Sequence, residues 1–280
     1  SLTDEQAARG VVTHSSGNHA AALALAAKQR GIPAHIVMPD NAPAAKRRAV
    51  VAYGGRITFC RPTLADRTAV AERILHETGA TLVHPYDDPA VIAGQGTVAL
   101  ELHEQVPGLE QVVVPVSGGG LISGIALATV AVSPATEIVG VEPEQADDAQ
   151  QALRAGRLLP PQIGDTVADG LRAALCERTF AVISHHVRAI VTVTEAEIVA
   201  AMRLIWERTK LLVEPSSAVT LAAVLKQPAR FRGRRVGLHV LEHRLHARGH
   251  LRGVGAGQRE HTHGAPPARP VRRAVRVELR

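Results

Sequence analysis

The sequence predicts an α/β protein of two domains, each built on a parallel sheet covered by helices on both faces. Two observations carry that prediction. From residue 10 to about 240, short β-branched or apolar runs alternate with stretches of helical spacing, the pattern of strand–helix units feeding a doubly wound parallel sheet. Glycines also stand where the helical stretches should stop, at Gly31, Gly54 and Gly79, as C-terminal glycines do.

The strands read in order as GVVTH (10–14), AHIVMP (34–39), RITFC (56–60), TLVHP (81–85), QVVVPV (111–116), EIVGVEP (137–143), AIVTVT (189–194) and RVGLHVL (235–241). Helical patterns lie between them at 18–30, 43–53, 65–78, 93–105, 121–131, 195–208 and 216–226. Thr194 followed by Glu197 reads as a capping box that opens one of these helices. No internal repeat is visible.

Composition narrows the class. The chain has 280 residues and 46% hydrophobic content, enough for a substantial core, but only 2% aromatics. Ala, Val, Leu and Ile must therefore build that core. No run of about 18 apolar residues argues for a membrane span, and no basic-then-apolar start argues for a signal peptide. Two cysteines, Cys60 and Cys176, form no disulfide framework, so a reducing, cytoplasmic setting is expected. The net charge of +6 belongs to the end of the chain: residues 239–280 hold nine Arg, no Lys and three acids, and the first 238 residues balance at 23 of each sign. The body gives no electrostatic reason to expect nucleic acid. Residues 242–280, rich in Arg, His, Gly and Pro and without aromatics, are expected to be disordered. The abrupt change of character after RRVGLHVL resembles translation in a wrong frame, which makes this an aberrant basic tail.

Three loops carry candidate chemistry. In VVTHSSGNHAAALALAA a strand ends near His14 and a helix starts near Asn18. Free N–H groups and the helix dipole favour an anion there, and Ser15, Ser16 and Asn18 add side-chain donors. Ordinary N-capping needs only one such residue. In VVVPVSGGGLISGIALA a buried strand runs into Ser117-Gly118-Gly119-Gly120 and a helix. Consecutive glycines let backbone N–H groups converge on a phosphate, and neither a Walker loop nor a G-x-G-x-x-G fingerprint is present. In VGVEPEQADDAQ, Glu142, Asp147 and Asp148 share one short loop. Carboxylates with a loop carbonyl suit a hard divalent cation, although most acidic loops are simply solvated.

Together with HPYDDPAVIAGQGTVALE, VADGL and WERTKLLVEPSSA, these blocks give the chain a specific resemblance over roughly residues 10–240. It resembles the serine racemase and serine/threonine dehydratase family, pyridoxal-phosphate enzymes of the tryptophan-synthase-β fold (fold type II). The resemblance implies a small domain at 10–80 and a large cofactor domain from 1–9 and 81–241, with the cofactor in the cleft between them. It places the substrate carboxylate on Ser15, Ser16, Gly17, Asn18 and His19, and the cofactor ring hydroxyl near Asn18. The cofactor phosphate falls on Ser117, Gly118, Gly119, Gly120 and Leu121, and Gly170 lies beside the ring. Mg²⁺ or Ca²⁺ falls on Glu142, the carbonyl of Ala146 and Asp148. Ser16 matches the serine that moves a proton on one face of the planar carbanion while a lysine serves the other. Small amino acids (L-serine, L-threonine, D-serine) are the implied substrates, and a homodimer the implied assembly; neither a nucleic acid nor a membrane is an expected partner.

The family's Schiff-base lysine precedes the Ser-Gly-Asn loop in a Ser-x-Lys-x-Arg-Gly-like context. This sequence has four lysines, Lys28, Lys46, Lys210 and Lys226, and none has that context. The sequence therefore reads as truncated before the loop, with a large domain that is incomplete and turnover that is impaired. Exposed apolar surface and marginal stability are expected to follow. The alternative is a non-catalytic chain that pairs with an intact subunit.

Overall fold

In the computed structural model, residues 2–160 and 164–240 and a strand at 275–277 are described. Helix α1 (Asp4–Arg9) precedes strand β1 (Val11–His14), followed by α2 (Asn18–Arg30), β2 (Ala34–Pro39), α3 (Ala44–Ala52), β3 (Arg56–Cys60), α4 (Leu64–Thr78) and β4 (Thr81–Leu82). These strands form one parallel sheet in the order β3-β2-β1-β4. Then come α5 (Pro89–Gln105), β5 (Gln111–Pro115), α6 (Gly120–Val132), β6 (Glu137–Pro143), α7 (Asp148–Ala155), α8 (Glu177–His186) and β7 (Val187–Val193). The order closes with α9 (Glu195–Thr209), α10 (Pro215–Lys226), α11 (Pro228–Phe231), β8 (Val236–Leu238) and β9 (Val275–Val277). The second sheet runs β7-β6-β5-β8-β9, parallel except for β9, which pairs antiparallel to β8.

A core poor in aromatics packs by close approach instead of bulk. Ala20, Ala24 and Ala27 recur on one face of α2 and are buried against Ile36 and Met38 of β2. The α5–α6 pair goes further: a Cβ on Gly124 of α6 would stand 2.2 Å from the carbonyl oxygen of Ile92 on α5. Backbones that close tolerate no side chain between them. The second sheet is sandwiched between two apolar clusters. One is centred on α10 and holds Val219, Ala222 and Phe231; the other is centred on α6 and holds Ile122, Ile125 and Ala126.

All eight expected strands appear, and every expected helix does too. Four short helices escape the sequence pattern. α1 is one turn and a half, closed by a Thr3–Gln6 capping box. α7 carries no side-chain cap from its own N-cap. α8 is capped by Cys176 with Thr179, and cysteine is no usual start signal. α11 is a single turn opened by Pro228. α5 begins at Pro89 under an Asp88 cap, four residues before the expected start. β4 pairs in the first sheet and Leu2 packs against that sheet's core, whereas the sequence-based division puts both in the larger domain. Within the tail, residues 275–277 form an edge strand. The expected disorder of the tail otherwise falls on 242–274 and 278–280, outside the described residues. Exposed apolar side chains are present, among them Trp206 at 60%, Val132 at 50%, Leu100 and Leu127.

Candidate active site

The β1–α2 junction does not use its polar residues as caps. Gly17 is the N-cap of α2 and no side chain caps the helix. Ser15 Oγ accepts the Gly17 N–H at 3.3 Å, short of the helix itself. The first N–H groups of α2 thus face outward without an intrahelical partner. Asn18 Nδ2 donates to Glu214 Oε1 at 2.8 Å, and His19 Nε2 contacts the Val83 carbonyl oxygen at 3.2 Å.

The β5–α6 junction is built from backbone. Gly119, with φ +86°, is the N-cap of α6 and lies in the left-handed region. A Cβ on Gly118 would stand 2.3 Å from the Tyr86 ring, one on Gly120 2.8 Å from Tyr86 Cβ, and one on Gly119 2.7 Å from Thr179. All three positions therefore demand glycine, and the loop presents amides at a helix N-terminus, the form of a phosphate nest. Ser117 Oγ turns to the neighbouring loop, accepting the Ala173 N–H at 3.0 Å and donating to the Ala173 carbonyl at 3.3 Å.

Two sets of contacts tie these junctions to the rest of the structure. The segment 83–86 is the first. His84 stacks edge-on with His14 (5.1 Å between centroids) and with Tyr86 (4.7 Å), and Tyr86 packs on the glycine loop. The second runs through α10: Glu214 holds Asn18, and two residues later Ser216 Oγ accepts the Gly170 N–H at 3.0 Å. Gly170 follows Asp169, which pairs with Lys46 of α3. Burial, with the nearby His84 and Arg67, lowers His14 to about 4. Burial likewise lowers His19 and His84. In all three imidazoles burial disfavours the charged form.

Glu142 leaves the end of β6 fully buried. Its two oxygens accept the N–H groups of Ala149 (3.2 Å) and Gln150 (2.8 Å), so it caps α7 from inside. Burial pushes Glu142 up to about 9 and Asp148 up to about 6. Asp148 lies close enough to Glu142 to raise it further. Among the described residues no group of three or more His, Cys, Asp or Glu side chains is placed to hold a metal; the third donor of the expected set is a carbonyl.

The sequence reading gives no role to Tyr86, His84, Glu214 or Arg67, yet they tie the site together. Arg67, on α4, lies near His14, and its Nε is buried without a partner among the described residues. The only signal for Tyr86, His84 and Glu214 was their place in the quoted blocks HPYDDP and VEPSS; Arg67 had none. The four lysines are engaged as follows. Lys28 Nζ donates to the Ala52 carbonyl (3.1 Å) and Lys210 Nζ to the Glu207 carbonyl (2.7 Å). Lys226 pairs with Glu144 and Glu197, and Lys46 pairs with Asp169.

Comparison with known proteins agrees with this geometry. The family described as "pyridoxal-phosphate dependent enzyme" matches residues 1–241. The chain is 51% identical over 239 residues to the β-hydroxyaspartate dehydratase of Paracoccus denitrificans, covering 85% of this chain and 76% of that protein. Maize serine racemase superposes with a TM-score of 0.80 at 50% identity, covering 83% of this chain and 70% of that one. The T.th. threonine deaminase superposes with a TM-score of 0.77 at 44% identity, covering 82% of this chain and 75% of that one.

Proposed function

The chain belongs to the pyridoxal-phosphate dependent enzyme family, and from that premise we propose a racemase- and dehydratase-type protein acting on small hydroxy amino acids. The observation that carries the reading is the linkage of two uncapped strand-to-helix junctions through His84 and Tyr86. The glycine loop fits the cofactor phosphate, because its three glycines are required by the packing of Tyr86 and Thr179 and leave only amides to face a ligand. The cofactor, when bound, supplies an electron sink for the negative charge that develops at Cα.

The chain's own residues do the rest. The α2 amides, with Ser15, Gly17 and His19, bind the substrate carboxylate. Asn18, held by Glu214 at 2.8 Å, orients the ring hydroxyl. Gly170 lines the ring face, its N–H fixed by Ser216. The Ser16 hydroxyl is half-buried and moves a proton on one face of Cα. Glu142, Asp148 and the Ala146 carbonyl hold Mg²⁺ or Ca²⁺ and so neutralise two buried carboxylates. The exposed apolar residues Leu100, Leu127, Val130 and Val132 on α5 and α6 support a homodimer. No helix among the described residues is long and apolar enough to cross a membrane. The four lysines of these 280 residues are engaged with protein partners, so turnover by this chain alone is impaired. An inactive chain paired with an intact subunit is the second reading.

A reduced phosphopyridoxyl-serine conjugate tests the site without needing a lysine. Tight binding with both the phosphate and the serine carboxylate required supports the assignment. Binding that ignores the carboxylate, or no binding, overturns it. Borohydride reduction with pyridoxal phosphate separates the two readings. A single lysine labelled in high yield restores the enzyme, and none labelled supports the inactive partner. Where turnover is found, Ser16→Ala should abolish Cα-proton exchange for one serine enantiomer and spare the other.

A further inference from the structure

At the opposite end of the second sheet, the starts of β5, β6 and β7 frame a cavity of about 600 Å³ lined by Gln111, Glu137, Arg188, Arg230, Arg234 and the end of α10. It is separate from the proposed active site. β5 begins here at Gln111 and delivers the glycine loop from its other end, roughly 16 Å away at strand rise. Two features mark it as a built site.

The first is charge. Three arginines face a single carboxylate: Arg234 Nη1 lies 3.1 Å from Glu137 Oε2 and Arg188 Nε 3.8 Å from Glu137 Oε1, and Arg230 Nε donates to Gln227 Oε1 at 3.1 Å. Lys226, which also lines the cavity, is already compensated by Glu144 and Glu197. A guanidinium carries five donors, so one carboxylate leaves most of them for another oxyanion. The second feature is Gln111. It is 1% exposed, its Nε2 donates to Glu137 Oε2 at 2.8 Å, and that contact fixes which amide atom is which. Its Oε1 is buried with no partner among the described residues. A buried acceptor left open is costly, and a small opening of the cavity wall at Gln111 lets an incoming hydroxyl satisfy it.

We propose that this cavity binds a small hydroxylated organic anion, the oxyanion on Arg188, Arg230 and Arg234 and a hydroxyl donating to Gln111 Oε1. The oxyanion is a phosphate ester or a carboxylate; both meet guanidinium forks in the same bidentate way.

Calorimetric titration of the full chain decides it, with glycerol 3-phosphate and glycerate as the two oxyanion arms. Inorganic phosphate and glycerol test each half of the ligand alone. At least one hydroxylated anion should bind, and about tenfold more weakly in Arg188→Ala and in Arg230→Ala, as loss of one charge-assisted contact implies. Gln111→Leu should weaken the hydroxylated anion and leave inorganic phosphate unchanged. No binding by either anion overturns the proposal. So does affinity that survives both arginine substitutions, because that binding would sit elsewhere, at the glycine loop for instance. Equal affinity for inorganic phosphate and glycerol 3-phosphate overturns the role of Gln111. Arg188 is 71% exposed in its side chain, so its variant keeps the test open if Gln111→Leu fails to fold. None of these substitutions touches the active-site loops, so failure here leaves the pyridoxal-phosphate reading standing, and the reverse holds too.

Discussion

The two strand-to-helix junctions proposed to bind anions are built in opposite ways. At β5–α6 the backbone does it, in a crowd: every glycine of the triplet would put a Cβ within 2.8 Å of Tyr86 or Thr179. At β1–α2 side chains surround the anion position in open space: nothing lies within 4 Å of a Cβ on Gly17, and Asn18 reaches to Glu214. A phosphate is the same in every turnover, and a rigid nest suits it. An amino acid must enter and leave, and an uncrowded rim of hydroxyls and an amide suits that better. The contrast assigns rigidity to the cofactor side and adjustability to the substrate side.

Substitutions should expose that asymmetry. Gly118→Ala drives a methyl group into the Tyr86 ring, 2.3 Å away. It should weaken phosphopyridoxyl-serine by about 100-fold, because misplaced loop amides lose the phosphate, and cost about 2–3 kcal/mol in a denaturant melt through overpacking. If affinity is retained, the nest is not rigid. Next in size is an acid limb set by His14, held at about 4 by burial against an ordinary 6.5. The unfolded chain binds this proton more readily than the folded one, so the stabilising contribution is complete above pH 6.5 and is lost as pH falls toward 4. The loss is on the order of 2 kcal/mol after discounting for partial exposure. His14→Gln should flatten the melting free energy across that window, and an unchanged limb would place the titration elsewhere.

Asn18→Ala removes the bridge to Glu214 and should weaken the conjugate by about tenfold, the scale of one hydrogen bond to a charged group. Pyridoxal phosphate alone should lose less, since its phosphate stays on the glycine loop. Smallest of all is Gly17→Ala. Its φ is negative at −121° and its surroundings are open, and the one cost is a ψ of −146° just outside the β region, so stability should fall by no more than about 1 kcal/mol. A larger change would mean that the β1–α2 rim is as crowded as the nest.

How much of this was legible in the residues follows the same division. Strands were legible because a strand buried on both faces must be a continuous apolar run, as in Gln111–Pro115 and Glu137–Pro143. The Thr194–Glu197 box was legible because its hydrogen bonds are local, at 2.8 and 3.2 Å. The short helices α7 and α8 were not, since one is capped by Glu142 from another element and the other by a cysteine. The loops were legible as strand-to-helix junctions through their small polar and glycine residues. Their bridges were not. His84 against His14, Tyr86 over Gly118 and Glu214 on Asn18, 196 residues apart, leave no spacing in the chain.

What the sequence by itself determined is the parallel α/β architecture and the two amide-rich turns, because periodicity and glycine placement act within a few residues. Only the tertiary structure decided that the two turns are joined through His84 and Tyr86 and that Glu142 faces α7. It also decided that Gln111 keeps an unanswered acceptor among three arginines. Those facts depend on groups far apart in the chain, joined by burial and sheet order instead of by local backbone preference.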